Sequence, residues 1–255
     1  MKTIFAIIGY TLKQHLRHRI YLTVALFGLV ILGGSTVISS LAVEEQGRML
    51  LDLGLAAIEG LALLAIVFVT VNLVLEEMES RSITLILTHP VKRSEYIVGR
   101  FLGTLFAIAI GMAAMAIVHL TILVLTGGSL RWGYAAAWVC SLGKVAVIGS
   151  LALLLSLFST SAASSMTFTI FFWILGHFTE ELKFMGEKSG NAVAKALIWL
   201  ISEITPNFAY YNYRDFWLAA SQPPPSWFGW MGLYTLAYIG VCLFLSNFLF
   251  SQKEF

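Results

Sequence analysis

The chain has 255 residues, of which 58% are hydrophobic and only 12% charged, with a formal net charge of +2. Soluble domains carry about 25% charged residues, so a water-soluble surface is excluded, and the near balance of charge gives no sign of a nucleic-acid partner. Cys140 and Cys242 lie far apart inside long apolar runs, which argues against a disulfide framework or a cysteine-based metal site.

In chain order, the first nineteen residues do not read as a cleaved leader, because Lys13, Arg17 and Arg19 interrupt the apolar stretch and no small-residue cleavage site follows. Ile4, Ile8, Leu12 and Leu16 recur every four residues, with Lys13, Gln14 and Arg17 elsewhere on the wheel. That pattern predicts an amphipathic helix on the membrane surface or, alternatively, an extension of the first span. A spanning helix needs about 20 mostly apolar residues. Six runs qualify, at roughly 20–41, 54–75, 101–125, 133–158, 163–180 and 228–250. They are too long and continuous for barrel strands, and lipid cannot satisfy free backbone groups. Residues 1–255 are thus expected to form a single all-α integral membrane domain of six transmembrane helices.

Lys2, Lys13, Arg17, Arg19, Arg81, Lys92, Arg93, Arg100 and Lys253 all fall before span one, between spans two and three, or after span six. The opposite short loops hold only Arg48 and Arg131. The positive-inside bias then predicts cytoplasmic termini.

The cytoplasmic segment 76–100 opens on charged residues, passes through the apolar run Ile83–Leu87 and breaks at Thr88-His89-Pro90. Ser94 is expected to cap a following helix, with Glu95 in its first turn. A short helix and turn at the membrane face suits the docking of another protein; a solvated loop with membrane-flanking charges is the alternative. Glu77 and Arg81 are four residues apart, so they can pair with each other or each reach a partner.

Ionisable groups inside spans mark functional positions by default. Glu59, His119, Lys144 and His177 are such groups. They could line a polar outward path, or Glu59 and Lys144 could neutralise each other as a structural pair. The outer segment 181–227 carries Phe208, Tyr210, Tyr211, Tyr213, Phe216 and Trp217, expected at headgroup level as an aromatic belt or as a substrate platform. Its apolar stretch 190–204 is too short to cross and should lie in the interface or re-enter partway.

The stretch Glu77, Arg81, Ser82, Leu85, Leu87, Thr88, Pro90, Val91, Arg93, Gly99 and Arg100 resembles the loop after the second span of ABC-2 type transporter permeases. The basic N-terminal helix, six spans and Thr205-Pro206-Asn207-Phe208 extend the likeness over nearly the whole chain, and among subfamilies it is most similar to the type typified by NosY. The resemblance implies a cytoplasmic coupling helix between spans two and three. Glu77, Arg81, Pro90, Arg93 and Ser94 would then be the docking residues for a separate ABC ATPase subunit. It also implies a second permease subunit, most simply a homodimer, in a plasma or bacterial inner membrane, with export or mechanical signalling to an external protein as the output.

No GxxxxGK(S/T) is present, since Gly143-Lys144 is followed by Val145 and Trp138 stands where the first glycine belongs. ATP and magnesium are therefore expected in the partner ATPase, and no cofactor or catalytic residue in this chain. Two other readings compete. Glu76-Glu77-Met78-Glu79-Ser80-Arg81 matches the EExxxR of CAAX-type intramembrane glutamate proteases, although Trp173-x-x-x-His177 only approximates that family's histidine motif. The third reading is an uncoupled membrane scaffold.

Overall fold

The computed structural model of the chain describes residues 2–17, 19–40, 46–79, 92–126, 132–213, 223–224 and 226–252. Among these the regular structure is entirely helical. Helix α1 spans Lys2–Arg17, α2 Arg19–Ser39, α3 Gln46–Glu79, α4 Arg93–Leu125 and α5 Trp132–Phe158. After a short break come α6, Ala162–His177, α7, Thr179–Lys188, and α8, Ala192–Ile204, then a 3-10 turn, Phe208–Tyr211, and α9, Trp227–Gln252.

Helices α3, α4, α5 and α9 are long and apolar enough to cross a bilayer. Of the two other expected spans, α2 runs over 21 residues and Ala162–His177 is a shorter apolar helix. The 16 residues of α6 rise about 24 Å, less than the ~30 Å hydrocarbon core. The 34 residues of α3 rise about 51 Å, so this helix extends well past a bilayer core at one end or both.

Helix α3 is the centre of the bundle, in contact with α2, α4, α5 and α6. Ile58, Ala62, Ile66, Val67 and Val71 pack there against Val147, Ile148 and Ala152 of α5 and Met112 of α4. Between spanning helices no hydrophobic force drives association, because lipid is as apolar as leucine; close packing and hydrogen bonds do the work. Glycines show where helices approach most closely. A Cβ at Gly149 on α5 would meet Ile66 of α3 at 2.8 Å, and one at Gly54 on α3 would overlap the His119 ring of α4. Hydroxyls that water would otherwise bond are satisfied locally: Ser150 donates to the Val147 carbonyl and Ser156 to that of Leu153.

The faces of α1 differ from the expected Ile4–Leu16 stripe. Thr11 and His15 are its most buried residues, whereas Leu16 and Phe5 are exposed. The side turned to the protein is Ile4, Ile7, Ile8, Thr11 and His15, because the two polar groups find hydrogen-bond partners on α4. α4 receives this side at Gly99 and Gly103, a GxxxG pair. A Cβ there would stand 2.8 Å from Ile7 Cγ2 and 2.6 Å from Thr11 Cβ respectively.

Candidate functional site: two buried ion pairs and the outer turn

The first constellation lies where α3 ends and α4 begins. Glu77, 8% exposed, forms an ion pair with Arg100 and accepts a hydrogen bond from the Tyr96 hydroxyl. Arg100, 4% exposed, also donates to Thr11 Oγ1 at 2.9 Å and Gln14 Oε1 at 3.0 Å on α1. Its guanidinium stands 5.2 Å from the Tyr10 ring centroid and 5.6 Å from that of Tyr96. One turn further, His15 Nε2 lies 2.9 Å from Thr104 Oγ1. A planar five-donor cation suits this position, because it can serve a carboxylate, a hydroxyl, an amide and two ring faces at once. A carboxylate near a helix C-terminus is opposed by the helix dipole, and Arg100 with Tyr96 offsets that here.

Glu77, an expected docking residue, is thus engaged inside the chain by Arg100 and Tyr96. Arg81 and Pro90, together with the expected helix Ile83–Leu87, lie outside the described residues. Ser94 is not the cap of α4. That position is held by Lys92 in an extended conformation without a side-chain hydrogen bond, and Ser94 lies exposed inside the first turn. The helix begins at Arg93, whose guanidinium reaches the last turn of α9 and donates to the carbonyls of Phe250 at 3.0 Å and Ser251 at 2.8 Å. A cation on carbonyls at this end of the helix is favoured by the dipole of α9. Three helices and α1 are thus tied together around the two ends of the 80–91 segment.

The second constellation is in the middle of the bundle. Lys144 Nζ on α5 lies 3.0 Å from Glu59 Oε1 on α3, and Ser141 Oγ donates to Glu59 Oε2 at 2.6 Å. All three residues are buried. Two of the four intramembrane candidates are thus brought together, in a geometry that neutralises both charges. His119, fully buried, has its own partners: Nε2 lies 3.2 Å from the Leu50 carbonyl and Nδ1 3.1 Å from the Tyr134 hydroxyl. The carbonyl can only accept, so Nε2 carries the proton and Nδ1 accepts from Tyr134, which a neutral imidazole satisfies. His177, at the end of α6, is exposed; its Nδ1 donates to the Trp173 carbonyl at 3.0 Å and its ring faces Trp173 and Phe208.

The third is the turn after α8. Asn207 caps it by accepting from the Ala209 N–H, while its own N–H donates to the Tyr234 hydroxyl at 2.8 Å. The turn drives Phe208 and Tyr211, 1% and 2% exposed, into the bundle. Gly176 and Gly143 leave the room: a Cβ at either would stand 2.6 Å from a ring carbon of Phe208 or Tyr211 respectively. Tyr211 Oη is 2.6 Å from Thr235 Oγ1 on α9. Burial raises the Tyr211 phenol well above its ordinary range, so it serves as a neutral hydrogen-bonding group. These two aromatics are core anchors and not a belt at headgroup level; Phe216 and Trp217 fall outside the described residues. Outside the turn, α7 and α8 form an antiparallel pair bridged by Lys183 and Glu203 at 3.2 Å, with a cavity of about 250 Å³ between them. Asn191 caps α8 through the Val193 N–H at 2.9 Å.

Among the described residues no group of three or more His, Cys, Asp or Glu is placed to hold a metal ion. Among the described residues, His119 is also remote from the glutamates of the EExxxR match. His119 meets α3 at Leu50 and Gly54, which places it roughly 35–40 Å along that helix from Glu76 and Glu77. Sequence reading singled out Glu77, Arg93 and Arg100 but not their internal partners. The GxxxG at 99–103 was the available signal that α1 would be seated there.

Comparison with known proteins bears on the same chain. No curated protein matches it significantly. The family profile described as ABC-2 family transporter protein matches residues 36–255, which leaves α1 outside the match and does not distinguish the NosY type. That family implies a partnering ATPase and a membrane setting. With several apolar helices able to cross a bilayer and a family match over most of its length, the chain belongs to the ABC-2 family transporter proteins, as a multi-pass membrane permease of the ABC transporters.

Proposed function

We propose that this permease couples ATP hydrolysis in a separate cytoplasmic ATPase to export, or to mechanical signalling, across the membrane. In this reading α2 and α6 join the four long helices as spans, the termini are cytoplasmic, and a second copy completes the transporter in a bacterial inner membrane. ATP and magnesium belong to the ATPase, and an external protein receives the cargo or the movement.

The observation that carries the reading is the knot around the 80–91 segment. Its flanks, α3 and α4, are joined by Glu77, Tyr96 and Arg100. The same arginine holds α1, and Arg93 holds the end of α9. A push on that segment is delivered to four helices through short direct contacts instead of being lost in a free loop. In this reading the ATPase is met by the segment itself, through Arg81 and Pro90. Arg81→Glu should leave expression and thermal stability unchanged while abolishing co-purification of the ATPase and transport. Wild-type recovery of the ATPase together with unaltered ATP hydrolysis would remove the coupling role and favour an uncoupled scaffold.

A further inference from the structure

Helix α1 has three sides, and one of them is seated on α4. The side formed by Ile4, Ile7, Ile8, Thr11 and His15 is held on α4. A second side is apolar and open, with Phe5 67% and Leu16 44% exposed beside the half-buried Leu12. A third carries Lys13 and Arg17, both exposed, next to Tyr10 at 62% exposure. An apolar side and a basic side on one helix, seated near the start of a spanning helix, is the arrangement of a helix lying at the boundary between acyl chains and headgroups. The last turn of α1 carries no acid. Lys92 is exposed at the start of α4 on the same side of the bundle, where the nearby acids in sequence are the exposed Glu76, the buried Glu77, Glu79 and the half-buried Glu95.

We propose that α1 is a binding surface for anionic phospholipid headgroups, with Lys13 and Arg17 as the headgroup ligands and Phe5, Leu12 and Leu16 as the acyl-chain anchor. The charge of the basic side selects the occupant. Apolar burial alone would accept any lipid, whereas two exposed cations held at headgroup level gain from negative surface potential, about fivefold in affinity per charge. The inference concerns lipid recognition and does not depend on ATPase coupling.

The test uses the full-length permease in nanodiscs of phosphatidylcholine, alone or mixed with phosphatidylglycerol, and follows hydrogen–deuterium exchange of residues 2–17. Phosphatidylglycerol should slow exchange in α1 by about thirtyfold, and added salt should reverse much of that slowing. The double variant Lys13→Gln with Arg17→Gln should exchange alike in both lipids. Thr11→Ala, which alters the side held by Arg100, should instead speed exchange equally in both lipids and keep the phosphatidylglycerol effect. Equal protection of the wild type in the two lipids, or a phosphatidylglycerol effect that survives in the double variant, overturns the proposal.

Discussion

Removing one partner of the Glu59–Lys144 pair is the sharpest probe of the bundle core. The carboxylate accepts from Lys144 Nζ at 3.0 Å and from Ser141 Oγ at 2.6 Å, with both charged residues less than a tenth exposed. Glu59→Met leaves a buried ammonium and Lys144→Met a buried carboxylate; losing one member of a buried pair costs about 3–5 kcal/mol. The double variant buries two apolar chains of similar volume. It leaves Ser141 without its acceptor, a loss of about 1 kcal/mol that the hydroxyl can recover by donating to a carbonyl of its own helix, as Ser150 and Ser156 do. For a chain of this size about 1 kcal/mol corresponds to roughly 2–4 °C in Tm. Each single variant should therefore melt at least about 6 °C below wild type in the same detergent, and the double variant within about 4 °C of it. The coupling between the sites, read from the four melting curves, should be several kcal/mol and favourable. Equal melting temperatures for the singles and the double would refute the pairing argument, because they would mean that water already solvates both charges.

Close approach gives a second expectation. Gly54→Ala drives a methyl group into the His119 ring and should lower thermal stability clearly, while Gly33→Ala, with nothing within 4 Å of its Cβ, should change it by less than about 0.5 kcal/mol. The proposed orientation predicts that a membrane-impermeant thiol reagent added outside intact cells modifies a Ser189→Cys variant and spares a Ser94→Cys variant; the reverse pattern would invert the topology.

Much of this molecule was legible before any coordinates. Composition alone places it in a membrane, since so few charges cannot cover a soluble surface, and hydropathy locates the helices because each crossing must satisfy its own backbone. The boundaries of α5 and α9 follow the apolar runs to within about two residues, the ordinary uncertainty of helix ends. Less legible was the identity of partners. Glu77 lies four residues from Arg81, and that local spacing cannot reveal that Arg100, much further along the chain, reaches it. The stripe Ile4–Leu16 is apolar by periodicity, yet in a membrane apolarity does not say which side meets protein and which meets lipid, since both are equally dry. Polar groups and glycines decide that. Thr11 and His15 turn inward because Arg100 and Thr104 can bond them, and Gly99 and Gly103 let α1 come close enough to do so. Likewise Phe208 and Tyr211 are indistinguishable in sequence from interfacial aromatics; only the space left by Gly176 and Gly143 draws them into the bundle. What the chain by itself determined was which segments are helical and apolar, a property of each segment alone. Which faces meet was decided by tertiary structure, because in lipid it depends on shape and hydrogen-bond complementarity between residues far apart in the chain.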